Sequence, residues 1–279
     1  MYDLHNHLLP GIDDGATDIS VSIEMARAAA ESGTMVMACT PHYTPGVWSN
    51  IGPDIRARAQ QLQAVLYERG IPLQLTTGCD MHVNPDMIEG LRTGRLLSLN
   101  DTRYVLLELP HHAAPARLDD CFFGLLSAGY IPIFTHPERV GWIQNHYDSI
   151  KRLARSGVWM QITAGSLVGS FGSRARYWAE KMLDEGLVHI LASDAHDMKK
   201  RPPQLREGRE IAAQWVGDYE AYNLTVARPY GILCNQPPAS LPPVPERQPV
   251  DLVAEIEKDD RPGAHHRSKG FFQNILSRL

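Results

Sequence analysis

Seven apolar, β-rich segments recur along this chain with amphipathic helical patterns between them, and that alternation restricts the fold more than any other feature. The segments cover residues 2–5, 35–39, 72–77, 104–109, 131–135, 158–162 and 188–192. The intervening stretches carry helix signals. Asp18 precedes a helix over 19–32 that Gly33 closes, and Pro53 stands near the start of one running to Gly70. Asn84-Pro85 opens a short helix, and Gly129, Gly157 and Gly186 each end one. Strands alternating with helices read as parallel βα units, so the expected class is α/β. An open doubly wound sheet and a closed barrel both satisfy this pattern, and periodicity does not separate them.

The chain has 279 residues, 43% hydrophobic and 21% charged, which is enough apolar material for a sizeable core. A net charge of −5 with no dense Lys/Arg block argues against nucleic-acid binding. The N-terminus lacks a basic-then-apolar signal, and no apolar run approaches the ~20 residues that span a bilayer. Cys39, Cys79, Cys121 and Cys234 are scattered, as expected of reduced thiols in a cytoplasmic protein. None begins a Cys-x5-Arg loop, which excludes a thiolate-based phosphatase.

Ligand-type residues fall at the ends of the expected strands. His5 and His7 follow the first, where i and i+2 share a face, so both imidazoles can reach one ion. His42 follows the second, Asp80 the third, Glu108 ends the fourth, His136 follows the fifth, and Asp194 and His196 follow the seventh. Only the sixth lacks one; Gln161 stands there. In a parallel barrel the carboxyl ends of the strands converge on one face, where active sites sit. One such residue reads as a satisfied histidine or solvated acid. Six of seven strands delivering one reads as a metal centre, because buried charges must be paired or metal-bound. His82, His111, His112, His146 and His189 read as structural or surface residues, with His111-His112 on a surface loop or, alternatively, lining the pocket mouth, and His265-His266 as solvated.

Past Cys234 the chain changes character. Six prolines between Gln236 and Pro249 read as an extended linker. Phe271, Phe272, Ile275, Leu276 and Leu279 then share one face of a short helix, so residues 271–279 form either a loose terminus or a docking element for a partner or membrane surface. The expected organisation is a catalytic unit over 1–234 and a non-barrel tail over 235–279.

Taken together, Asp3-Leu4-His5-Asn6-His7 through Asp13-Asp14-Gly15, Thr40-Pro41-His42, Leu107-Glu108, Thr135-His136-Pro137-Glu138-Arg139 and Ala192-Ser193-Asp194-Ala195-His196 leading to Arg201-Pro202-Pro203 resemble the PHP (polymerase and histidinol phosphatase) superfamily. They are most similar to its bacterial tyrosine-protein phosphatases of capsule and exopolysaccharide operons. The resemblance implies a distorted, TIM-like (β/α)7 barrel. It also implies three divalent metal ions, manganese first, with iron, cobalt or zinc as alternatives. The ligands it implies are His5, His7, Asp14, His42, Asp80, Glu108, His136, Asp194 and His196. Asp13 rivals Asp14, which is preferred because the family motif puts the ligand beside the glycine. One departure is Asp80, where the family usually has glutamate. The shorter side chain requires an inward shift of the strand end, a bridging water or a weaker metal.

Four carboxylates against three divalent ions leave a site of about +2, a match for a phosphate-ester dianion. Arg139 and Arg201 are the expected phosphate-binding residues, and His196 or a metal-bound water the proton source for the departing tyrosine oxygen. The alternatives are an Arg139–Glu138 surface pair and a solvated Arg201. Tyr43, Trp48 and Tyr177 are candidates for the rim. The implied substrate is the phosphotyrosine-containing tail of a bacterial tyrosine kinase. A histidinol-phosphatase-like enzyme and a non-catalytic regulator binding the kinase tail are the rival readings. A carbamylated-lysine amidohydrolase is disfavoured because no lysine sits at a strand end.

Overall fold

A computed structural model describes residues 1–245 of the chain. Its strands are β1 (Tyr2–Asn6), β2 (Val36–Cys39), β3 (His42–Thr44), β4 (Trp48–Ser49), β5 (Gln74–Thr77), β6 (Asp80–His82), β7 (Tyr104–Glu108), β8 (Ile131–Thr135), β9 (Trp159–Thr163) and β10 (Ile190–Ala192). The α-helices are α1 (Ile19–Glu31), α2 (Gly52–Glu68), α3 (Met87–Arg92), α4 (Leu118–Ser127), α5 (Ile143–Arg155), α6 (Ala164–Val168), α7 (Gly172–Asp184), α8 (Leu205–Val216), α9 (Asp218–Tyr222) and α10 (Arg228–Leu233). A π-helical turn, Asn223–Ala227, joins the last two.

Each of the seven expected strands is present, and the second and third are each followed, after a break, by a further short strand that was not expected. Thr40-Pro41 separates β2 from β3, and Gly78-Cys79 separates β5 from β6. Proline has no N–H for the ladder, which accounts for the first break. Gly78 lies where an added Cβ would meet Leu99 and Thr40 at 2.9 and 3.0 Å, so the second break brings the backbone into close approach. The pairs continue across both breaks, β2 with β5 and β3 with β6, all parallel. One sheet runs β1-β2-β5 and the other β10-β9-β8-β7-β6-β3-β4, with only β3–β4 antiparallel. A parallel bridge between Asn6 and Ala195 joins β1 to the residues after β10.

Alternation along the strands sorts side chains onto two buried faces. Leu4, Ala38, Tyr104, Leu106, Ile131, Ile133, Trp159 and Ile190 form one apolar cluster. Val105, Leu107, Phe134, Met160, Ile162 and Leu191 point the other way and join the helices' apolar faces. Helix α5 buries Ile143, Tyr147, Ile150 and Leu153 at spacings of three and four. Helix α1 starts where Asp18 accepts hydrogen bonds from the Ser20 and Val21 amides, a cap worth about 1 kcal/mol.

The first half of the proline-rich stretch is not the extended linker expected from composition. Leu241 is buried in the first cluster beside Ile232, and Arg228 donates to the carbonyls of Pro242 and Pro243, each at 2.8 Å. Prolines offer acceptors but no donors, so a buried guanidinium can satisfy them. The docking element expected over 271–279 lies outside the described residues. Among those described, no helix is long and apolar enough to cross a membrane.

Candidate metal centre

The strand ends place the polar side chains. β1 carries His5, with His7 just beyond it; β3 and β6 open with His42 and Asp80, and β7 ends in Glu108. His136 follows β8, and Asp194 and His196 follow β10. The β1–β2 register slips between Asp3 and Asn6, the kind of irregularity that re-aims side chains. His136 (φ 39°) and Asp194 (φ 51°) both have left-handed backbones, at a cost of about 1–3 kcal/mol each. Hydrogen bonds hold them there: the His136 amide donates to Gln161 O and the Asp194 amide to His5 O, both at 2.8 Å.

The donor atoms converge. His5 Nε2 lies 3.4 Å from Asp80 Oδ2 and 3.3 Å from Asp194 Oδ1, and His7 Nε2 lies 3.4 Å from the same Asp194 oxygen. His42 Nδ1 is 3.2 Å from Asp80 Oδ2 and 3.4 Å from Glu108 Oε2. Asp14 Oδ1 is 3.5 Å from His42 Nε2 and 3.4 Å from His196 Nε2. Two ligands each about 2.0–2.2 Å from a shared ion stand about 3.0–3.5 Å apart. Five overlapping groups have donors within 4.8 Å of one another: His7-Asp14-His42-His196, His5-His7-Asp80, His5-His136-Asp194, His42-Asp80-Glu108 and Glu108-His111-His136. Six buried donor atoms make no hydrogen bond: both Asp80 oxygens, Asp194 Oδ1, His42 Nδ1, His136 Nδ1 and His196 Nε2. An unsatisfied buried polar atom costs about 1–3 kcal/mol, so their concentration at one point fits cation binding. Imidazoles mixed with carboxylates suit first-row divalent metals.

A second layer orients these donors. Gln161 Oε1 is 2.7 Å from His5 Nδ1, Asp13 Oδ2 is 2.7 Å from His7 Nδ1, and the Asp194 carbonyl is 3.0 Å from His196 Nδ1. Each contact occupies one ring nitrogen and turns Nε2 inward. Burial disfavours a charge on His5, but Asp80 and Asp194 outweigh it and raise its pKa to about 9. Against the same opposition, Asp80, Glu108 and Asp14 raise His42 to about 10. Burial and neighbouring His7 pull His196 down to about 4, and burial with Arg139 holds His136 well below its usual value. Burial would raise Asp194, but Arg201, His5 and Arg139 bring it well below the usual carboxylate range.

Residues 1–234 match the family described as "Capsular polysaccharide synthesis, CpsB/CapC". The chain belongs to this family. It is 37% identical over 225 residues to tyrosine-protein phosphatase YwqE of Bacillus subtilis, covering 81% of this chain and 89% of that one. Tyrosine-protein phosphatase CpsB of Streptococcus pneumoniae is 26% identical over 245 residues, covering 85% of this chain and 99% of that one. A solved structure from work on YwqE and CpsB, "unique metal-dependent tyrosine phosphatases", superposes with TM-score 0.82 at 36% identity, over 89% of this chain and all of that one. A hydrolase engineered from a lactonase shares the fold alone, with TM-score 0.50 at 14% identity.

In this CpsB/CapC chain all nine expected donors lie in the cluster. Asp80, despite its short side chain, reaches histidines of two different groups. Asp14 belongs to the four-donor group, while its rival Asp13 is engaged with His7 and with the Gly15 and His42 amides. Arg139 and Arg201 both donate to Asp194 Oδ2, Arg201 at 2.5 Å. Their guanidiniums flank Phe171, whose ring centroid is 4.2 Å from Arg139 Cζ and 5.9 Å from Arg201 Cζ. The Arg139–Glu138 pair is not formed; Glu138 is buried and accepts from Thr163 N–H and Ser166 O–H. Trp48 stacks on His42 at 5.1 Å, and Tyr43 accepts from Arg95, whereas Tyr177 packs on Trp178. His189 is structural, its ring accepting from the Met160 amide against Trp159.

Sequence reasoning missed three residues. Gln161 was the sign of a missing ligand and instead orients one. Phe171 gives no signal in sequence. His111, expected on a surface loop, has Nε2 3.3 Å from Glu108 Oε1 and its ring 5.1 Å from that of His136. Its position two residues past the expected end of the fourth strand at Leu109 was the available clue.

Proposed function

We propose that this chain is a metal-dependent protein-tyrosine phosphatase. The observation that carries the reading is the convergence of nine His and carboxylate donors, many without hydrogen-bond partners, beside two arginines in a CpsB/CapC chain. The proposed ligands are His5, His7, Asp14, His42, Asp80, Glu108, His136, Asp194 and His196, holding three divalent ions, manganese first and iron, cobalt or zinc otherwise. The proposed fold is the distorted (β/α)7 barrel. It is supported by pairings that pass from β1 through the β2/β3 and β5/β6 positions to β10 and return through the Asn6–Ala195 bridge.

Divalent ions there supply Lewis acidity and lower the pKa of bound water toward neutrality. The protein's own groups do the rest. Arg139 and Arg201 bind the non-bridging phosphate oxygens with paired N–H groups, held side by side by Phe171 and by Asp194. Asp194 links the two tasks, turning Oδ1 to His5 and His7 and Oδ2 to the arginines. His196 Nδ1 is occupied by Asp194 O, while Nε2 has no hydrogen-bond partner and faces Asp14, which suits a metal ligand better than a proton donor. A phenolate with pKa about 10 leaves with little protonic help. Trp48 is a rim surface for the substrate ring.

The natural substrate in this reading is the phosphotyrosine tail of a bacterial tyrosine kinase that controls capsule or exopolysaccharide synthesis. The four cysteines form no disulfide, which supports a cytoplasmic site of action. Metal analysis paired with rates on a phosphotyrosine peptide and on histidinol phosphate tests the proposal. Metal-dependent preference for the peptide is expected; clear preference for histidinol phosphate, or metal binding with no turnover of any phosphotyrosine substrate, would overturn it.

A further inference from the structure

We infer that His111 is a tenth metal donor, completing with Glu108 and His136 a coordination site at the outer edge of the cluster; this rests on the metal-dependent reading above. Glu108 and His136 supply two of that position's ligands, with His42 and Asp80 grouped on the other side of Glu108. Glu108 Oε1 lies 3.3 Å from His111 Nε2 and 3.6 Å from His136 Nε2. These are the spacings of ligands around one ion, and the three residues form a group with donors within 4.8 Å of one another.

The loop that carries His111 is pinned on both sides of the residue. The Trp142 indole donates to Pro110 O at 2.8 Å, and the Gly141 amide donates to His111 O at 2.7 Å. A Cβ on Gly141 would lie 3.0 Å from that same carbonyl oxygen, so glycine permits the close approach. The imidazole is therefore held over Glu108 by its backbone and does not hang free from a surface loop. Its side chain is one-third exposed, between the buried donors and Asp14, which is 46% exposed.

The alternative is that His111 only donates a hydrogen bond to Glu108. The test uses the full chain, stripped and reloaded with Mn2+ or Co2+, and follows bound metal by calorimetry and by the visible spectrum of the cobalt form. In His111→Ala one metal equivalent should bind at least tenfold more weakly, with a changed cobalt spectrum and unchanged tighter equivalents. His111→Gln, which keeps a hydrogen-bond donor, should behave like the alanine variant, and His111→Cys should restore affinity and add a thiolate band. His112→Ala is the control and should match the parent. Parent-like metal affinity and spectra in His111→Ala, or full affinity in His111→Gln, would overturn the inference. His136→Ala separates the two proposals: if it too keeps every metal, the ligand set of the phosphatase reading has failed, not merely the tenth donor.

Discussion

The molecule buries charge in two places and treats it in opposite ways. Where the metal centre gathers, Asp80 and Asp194 are fully buried beside donors that make no hydrogen bonds. In the cluster bounded by Ile232 and Leu241, Arg228 is also fully buried, but every N–H finds an acceptor. Two go to Glu220 at 2.7 and 3.0 Å and the others to the carbonyls of His189, Pro242 and Pro243. Asn223 donates to the same Glu220. A satisfied buried pair fixes structure; an unsatisfied one keeps capacity for something brought from outside. Equal burial thus separates scaffold from chemistry once partners are counted.

That comparison breaks most visibly by mutation in the centre. Asp194→Ala or His136→Ala should abolish turnover of a phosphotyrosine peptide, while His189→Ala, at a satisfied site, should keep most of it. Equal loss in all three would mean the chemistry has been misplaced. Removing metal with a chelator should likewise end turnover and lower the Tm, with recovery of both on reloading.

The converse effect belongs to Arg228. Arg228→Leu leaves Glu220 buried without a counter-ion and should cost about 3–5 kcal/mol in denaturant unfolding, with kcat preserved where the protein remains folded. Loss of kcat without loss of stability would show that the two regions are not separate. Smaller effects should sharpen the picture of the arginines. Arg139→Lys should lower turnover about tenfold or more with metal content unchanged, since an ammonium lacks the planar fork. Phe171→Ala should raise KM more than it lowers kcat, and Phe171→Tyr should restore KM.

The smallest predicted signal is a contrast in pH. Burial and neighbouring Arg228 depress His189 to about 3. The unfolded chain therefore binds the extra proton below about pH 6.5, and His189 costs stability as pH falls from there toward 3. In the metal-free protein His5 and His42 are raised to about 9 and 10, so they contribute stability below about pH 6.5 that is lost as pH rises through 9 to 10. Stability-versus-pH curves of apo and loaded protein should differ on both sides: the alkaline loss belongs to the apo protein, and the loaded protein loses its metal-derived stability as protons displace the metal at low pH. His189→Gln should reduce the acid-side loss in both without abolishing it, because His136 and His196 are also held below their usual range.

The strand–helix alternation and the His and carboxylate residues at strand ends were legible because both repeat along the sequence. Strand breaks were less so: Pro41 is a visible cause, but Gly78 acts through neighbours from distant segments. The Asp13–Asp14 choice depended on which carboxylate turns toward His7 Nδ1, a matter of side-chain direction that adjacency conceals. The proline-rich stretch looked like a linker because composition does not reveal that Arg228 was waiting for its carbonyls. His111 stands two residues past its expected strand end, as His7 and Asp194 do, but that strand already carried Glu108.

The closure of β1 against the residues after β10 has a consequence for biogenesis. Asp3 and Ser193, which hydrogen-bond across that seam, are 190 positions apart in the chain. At about 5–20 residues per second of synthesis, His5 and His7 wait some ten seconds or more before Asp194 and His196 exist. No nascent chain shorter than 196 residues holds the complete ligand set, so full metallation must wait until His196 has been made. Until then β1, paired with β2 on one side, leaves its other edge open.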